Sequence, residues 1–158
     1  MNPASHRNLF HLLFALPILI GLSAQTDARE PMSASALQEL VTRLKDQLGI
    51  DAVVLVAIVP SNPRLVSVQP VDGAPATFQM AFEQQFLAGL NADDLKAIVA
   101  HELGHVWIFT HHPYLHTERL ANTVAMRAVS RESLERVYNK VWEREGGRTD
   151  LTQFLGPQ

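Results

Sequence analysis

Between residues 35 and 48 the apolar positions are Leu37, Leu40, Val41, Leu44 and Leu48. That spacing places them on one face of an α-helix. Ser35 with Gln38 has the form of a capping box, and Gly49 gives the stop. Residues 52–59 (AVVLVAIV) are an unbroken apolar run rich in valine, which predicts a buried strand. Pro60-Ser61-Asn62-Pro63 reads as a turn, and residues 64–69 (RLVSVQ) alternate as a half-exposed strand does. The two strands are expected to form a hairpin. A loop over 70–75 and a short third strand over 76–81 (ATFQMA) follow.

A long helix is predicted from Ala92 to about Phe109. Asn91 is its N-cap, and Asp93 and Asp94 favour its positive end. Leu95, Ile98, Val99, Val106 and Phe109 would pack it on the sheet, and His111, His112 and Pro113 would end it. A second helix should start near Pro113 or Tyr114 and run to about Val129. Ser130 would cap a last helix over 131–145, with Leu134, Val137, Tyr138, Val141 and Trp142 as its stripe and Gly146-Gly147 as its end. Residues 148–158 show no clear period and are expected to fray. The pattern predicts an α+β domain: an N-terminal helix, a small antiparallel or mixed sheet, a long helix and C-terminal helices.

The first residues read differently. Arg7 precedes an apolar run over 9–22, too short for the ~20 residues of a membrane span. Gly21, Ser23 and Ala24 follow as small residues, so residues 1–24 are expected to be a signal peptide. Export to a periplasm or outside the cell follows; the alternative is an uncleaved anchor. Residues 25–34 would be a linker, 35–147 the domain and 148–158 a tail. The chain has 158 residues, 13 basic and 16 acidic. Loss of Arg7 with the signal leaves 12 basic against 16 acidic, a net −4. No basic patch exists, so a nucleic-acid partner is not expected. There is no cysteine, so the fold must rely on its core and on any bound metal, and zinc cannot take thiolate ligands.

The chemistry is concentrated in His101-Glu102-Leu103-Gly104-His105. Residues four apart on a helix share a face, so both imidazoles can reach one metal ion. Glu102 is offset by about 100° per residue and is placed to act on water rather than on the metal. This is the HExxH pattern of zinc peptidases, with Glu102 as general base. A catalytic zinc needs a third protein ligand and an open position. His111, His112, His116 and Glu118 are the candidates. A helix returning after Pro113 would bring Glu118 back to the level of His105. His111 is the rival, at the spacing of a third metzincin histidine. However, Ile108 stands where that turn needs glycine.

The run LNADDLKAIVAHELGHV resembles the catalytic helix of gluzincin peptidases. It is most similar to the family of the CAAX prenyl protease and the bacterial heat-shock membrane protease. Glu118-Arg119-Leu120-Ala121-Asn122 resembles the ExxAD segment of that family and the ExxAN segment of ImmA/IrrE-type peptidases. The likeness spans roughly residues 82–129. It implies a minimal zincin-like domain with one zinc ion held by His101, His105 and Glu118. It further implies that Asn122 supports His101 through its far ring nitrogen.

The expected activity is hydrolysis of peptide bonds in a peptide or protein substrate. A strand ahead of the active helix, such as 76–81, would align the substrate by main-chain pairing. Tyr114, His112 and His116 are candidate oxyanion donors, and Arg127 could also face the site. The alternative is an inactive zinc-binding interaction module of the same fold, with His111 available to close the coordination sphere. No stable membrane association is expected after signal removal, and the sequence leaves the oligomeric state open.

Overall fold

The computed structural model describes residues 32–112, 114–147 and 149–157. The expected signal peptide, residues 1–24, and most of the expected linker, 25–34, lie outside them. The element order is α1 (Ala34–Gln47), β1 (Val53–Val59), β2 (Val66–Pro70), β3 (Thr77–Glu83), α2 (Gln84–Ala88), α3 (Ala92–His111), α4 (Glu118–Ala125), α5 (Arg131–Glu145) and α6 (Leu151–Leu155). The fold is α+β, with one mixed sheet of three strands. Among the described residues no helix is long and apolar enough to cross a membrane.

The sheet order is β1-β3-β2, so the expected β1–β2 hairpin does not form. β3 is central: it runs parallel to β1 and antiparallel to β2. The Pro60–Pro63 segment is a crossover rather than a hairpin turn. Asn62 pins it across the end of β3 by donating to the Ala81 carbonyl at 3.0 Å and to Ser67 Oγ at 3.1 Å. The hairpin is β2–β3, closed by a turn at Val71–Ala74 with Gly73 at φ 73°.

β1 is not buried on both faces. Val53 is 53% and Leu55 49% exposed, while Val54 between them is buried. An edge strand covered on one face by α1 explains this, and a continuous apolar run does not distinguish it from a central strand. α1 starts one residue earlier than expected, because Ser33, not Ser35, accepts from the Ala36 N–H. Gln38 is not in a capping box. It donates to the Val54 carbonyl at 2.9 Å and accepts from the Val56 N–H at 3.0 Å, occupying the outer edge of β1.

α3 is the central helix and touches α1, β2, α4 and α5. Leu95, Ile98, Val99, Leu103, Val106 and Ile108 are all buried on it. Asn91 caps it by accepting from the Asp94 N–H at 2.8 Å. Asp94 does more than favour the helix dipole. It is fully buried and pairs with Arg136 Nε at 3.2 Å, joining α3 to α5. Lys140 Nζ stands 2.9 Å from its other oxygen, close enough for charge pairing though off the line of a hydrogen bond.

The remaining helices differ from the sequence reading in three places. α2 is additional, capped by the Glu83 carboxylate on the N–H groups of Gln85 and Phe86. α4 begins at Glu118, not near Pro113 or Tyr114, because the Thr117 hydroxyl accepts from the Leu120 N–H and sets the start. The tail does not fray: α6 is capped by Asp150, and Leu155 is buried. α5 runs over the expected residues, from the Ser130 cap to Gly146 at φ 71°.

Candidate metal centre

His101 and His105 stand one turn apart on α3, with ring centroids 4.8 Å apart and nearly perpendicular planes. Their Nε2 atoms are 3.2 Å apart. Glu118 opens α4 and places Oε2 3.3 Å from His101 Nε2 and Oε1 3.5 Å from His105 Nε2. These separations have a meaning. A tetrahedral ion bound at ~2.0–2.1 Å spaces its ligand atoms by roughly 3.3 Å. Two imidazoles and a carboxylate also suit zinc better than calcium or magnesium, which take oxygen. The three residues form a group able to hold a metal ion.

Gly104 is what lets the third member arrive. A Cβ there would lie 2.8 Å from both the carbonyl carbon and Cα of Ala121, and nearer still to its oxygen. Only glycine allows α3 and α4 to approach this closely, and α4 carries Glu118. Asn122, one turn after Glu118, is fully buried, and its Oδ1 is 2.8 Å from His101 Nδ1. An amide oxygen only accepts, so His101 Nδ1 carries a proton and its Nε2 is the atom that faces Glu118. His105 is less firmly held, since its buried Nδ1 has no hydrogen-bond partner.

Charge follows geometry. Burial alone would lower the His101 pKa, but its hydrogen bond to Glu118 and the Glu102 and Glu118 charges outweigh burial and raise it. Hydrogen bonds from His101 and His105 hold the Glu118 carboxyl far below its usual value. Glu102 is buried, and burial pushes its carboxyl up against the opposing pull of the two histidines. A carboxylate with a raised pKa beside a metal site is suited to taking up a proton. The main chain of Val68 on β2 hydrogen-bonds to it.

The site lies in a cleft of about 710 Å³, edged by Val66, Ser67 and Val68 of β2 and by α5. His116 reaches this cleft, its ring stacked on His105 at 5.0 Å and tilted on Phe109 at 4.4 Å. Burial, and then the neighbouring His105, lower its pKa. The other candidates stand elsewhere. Tyr114 is 97% exposed, and His112 is exposed against the Trp107 ring. His111 faces away from the ligand group. Its ring stacks on Trp107 at 4.4 Å, and its Nδ1 lies 3.0 Å from the Trp107 carbonyl oxygen. α3 runs straight through buried Ile108, so no turn swings His111 back. The Arg127 guanidinium lies over the same Trp107 ring, 5.3 Å from its centre.

Tyr138 was read from the sequence as part of an apolar stripe, yet it lines the cleft. Its ring stands edge-on to His101 at 5.9 Å, and its hydroxyl accepts from Asn122 Nδ2 at 2.8 Å. Burial first, and the Glu118 and Glu102 charges after it, raise its pKa, so it keeps its proton. The available signal was the hydroxyl, which needs a partner wherever a tyrosine joins a core stripe.

Neither a protein-family model nor a curated relative matches the sequence. Among solved structures, the chain is similar to the metallopeptidase zymogen of Pyrococcus abyssi abylysin. The TM-score is 0.51 at 18% identity, over 72% of this chain and 99% of that one. At that identity the likeness speaks for the fold alone.

Proposed function

We propose that this chain is a zinc-dependent peptidase of the gluzincin type, with His101, His105 and Glu118 as metal ligands and Glu102 as general base. The observation that carries the reading is the set of ligand separations, 3.2, 3.3 and 3.5 Å, with a buried carboxyl one residue beyond the first histidine. Three protein ligands leave one tetrahedral position open, as catalytic sites do and closed structural sites do not. This favours an enzyme over an inactive binding module.

Zinc, when bound, supplies a Lewis acid that polarises the substrate carbonyl and lowers the pKa of water. Glu102 takes a proton from the water whose oxygen forms the new bond to the carbonyl carbon. It then gives that proton to the leaving amine nitrogen as the C–N bond breaks. Its raised pKa assists it in holding the proton between the two steps. Tyr138 and His116, at the cleft, are the donors suited to the developing oxyanion, in place of Tyr114 and His112.

Substrate alignment falls to β2. The expected strand, β3, is paired on both sides and has no edge to offer. The outer edge of β2 lies along the cleft, so an extended peptide can pair with it. Export, to a periplasm or outside the cell, is proposed from the apolar run over residues 9–22. The test compares the parent with Glu102→Gln on a peptide library, with zinc content measured for both. The variant should keep zinc and lose hydrolysis by a factor of about 10² or more. Equal cleavage by both proteins, or none by the zinc-loaded parent, would refute the reading.

A further inference from the structure

Asn122 is fully buried, so its amide must find its partners inside the protein. Its oxygen accepts from His101 Nδ1 at 2.8 Å. Its nitrogen donates to the Tyr138 hydroxyl at 2.8 Å and to the Phe154 main-chain carbonyl at 3.0 Å. A hydroxyl can donate or accept, but a carbonyl only accepts. The Phe154 carbonyl therefore decides which way the amide faces. Turned over, Asn122 would set oxygen against oxygen at Phe154 and present N–H groups to the protonated His101 Nδ1. Buried groups left unpaired in this way are costly, so the amide has one orientation. That orientation requires the proton on His101 Nδ1 and leaves Nε2 free for a metal.

The Phe154 carbonyl is itself held. Arg131, the first residue of α5, donates from Nη1 to the Leu155 carbonyl and from Nη2 to the Gly156 carbonyl, each at 2.9 Å. Its Nε is tied to Glu135 Oε1 at 2.8 Å, which fixes the plane of the fork. Gly156, at φ 78°, supplies the bend that the segment makes there. Three successive carbonyls, from Phe154 to Gly156, are thus taken up by two side chains from other helices.

We infer that the C-terminal segment 149–157 is a positioning element of the metal centre, and that Arg131 is the positioning residue that sets it. By gripping the carbonyls of Leu155 and Gly156, Arg131 fixes the Phe154 carbonyl, and through Asn122 it selects the metal-binding tautomer of His101. The inference rests on the metal-binding half of the proposed function and not on hydrolysis.

The experiment uses full-length Arg131→Ala, Arg131→Lys and Lys140→Ala. Two quantities are read: zinc affinity by chelator competition, and the His101 tautomer by ring-nitrogen NMR of the metal-free protein at alkaline pH. The parent should show Nδ1–H alone. Arg131→Ala should show a tautomer mixture and bind zinc at least about tenfold more weakly, as losses of outer partners do. Lys140 is on α5, as Arg131 is, and Lys140→Ala loses its pairing with Asp94 of α3. It should lower stability while keeping the parental tautomer and affinity. A folded Arg131→Ala with parental values overturns the inference, as does an equal affinity loss in Lys140→Ala. Should Arg131→Ala not fold, Arg131→Lys decides: it keeps the charge but lacks the rigid fork that holds two carbonyls at once. A shift in its tautomer and affinity supports the inference, and parental values overturn it. Absence of peptide cleavage alongside the expected order of affinities would refute the proposed function and leave this inference standing.

Discussion

Gly104→Ala is the sharpest test of how the centre is assembled. Alanine in place of glycine inside a helix gains about 1 kcal/mol from propensity alone. Here the added methyl would lie 2.8 Å from two backbone atoms of Ala121. Ordinary carbon contacts are about 3.5–4.0 Å, so α4 must retreat by roughly 1 Å. No rotamer relieves a Cβ against backbone, and overpacking of this kind costs about 1–3 kcal/mol. The two terms partly cancel, so the metal-free protein should lose no more than about 2 kcal/mol. Metal binding has no such compensation. Ligand distances tolerate only about 0.2 Å, and α4 carries both Glu118 and Asn122. Zinc affinity should fall by more than the ~10–100-fold typical of a disturbed outer partner. The assay pairs chelator competition with thermal melting of metal-free protein. Parental zinc affinity in a folded Gly104→Ala would show that the close crossing does not set the site.

Glu118→Ala should release zinc while His111→Ala leaves affinity unchanged, read by the same competition; the reverse order would restore the metzincin-like alternative. In metal-free protein the Glu118 pKa lies below its ordinary 4.5, chiefly through hydrogen bonds to His101 and then His105. A depressed carboxyl contributes stability above about pH 4.5 that is lost as pH falls below it. Melting curves of the chelator-treated parent should decline through that range more steeply than those of Glu118→Gln, and parallel curves would contradict this. Replacing Arg136 and Lys140 together by alanine leaves Asp94 buried without a counter-charge. Urea unfolding should show a loss of about 3 kcal/mol, and a loss below about 1 kcal/mol would mean that Asp94 protonates or finds water instead.

The features legible in the sequence were those that local chemistry decides. Asn91 and Ser130 each cap the helix they were expected to cap, because capping involves only the next three residues. His101 and His105 meet for the same reason: four residues of helix bring them together. Partner choice in the sheet was not legible, since AVVLVAIV looks the same beside β2 or beside β3. The crossover depends on Asn62 reaching Ala81, nineteen residues away. Glu118 was placed on the assumption of two helical arms. In the structure α3 continues six residues beyond His105, about 9 Å, and residues 112 and 114–117 lie outside any helix. Glu118 therefore arrives at the start of α4 rather than partway along a helix. Two local cues stand in the sequence: the Thr117 hydroxyl ahead of Glu118, and Asp150 ahead of the short segment Leu151–Leu155 that ends at Gly156. Each is a start signal, and each marks a segment that carries or steadies the centre.

Gln38 gives the sheet a direction. With its amide on the carbonyl of Val54 and the N–H of Val56, the far side of β1 is closed to an incoming backbone at those two groups. An extended chain lying beside the sheet meets that side chain at β1, and at β2 the margin that borders the cleft. One glutamine thus opposes self-association into longer sheets, because two copies joining through their β1 margins would have to displace it. On the proposed peptidase reading, the margin left for a substrate is also the one beside the metal centre.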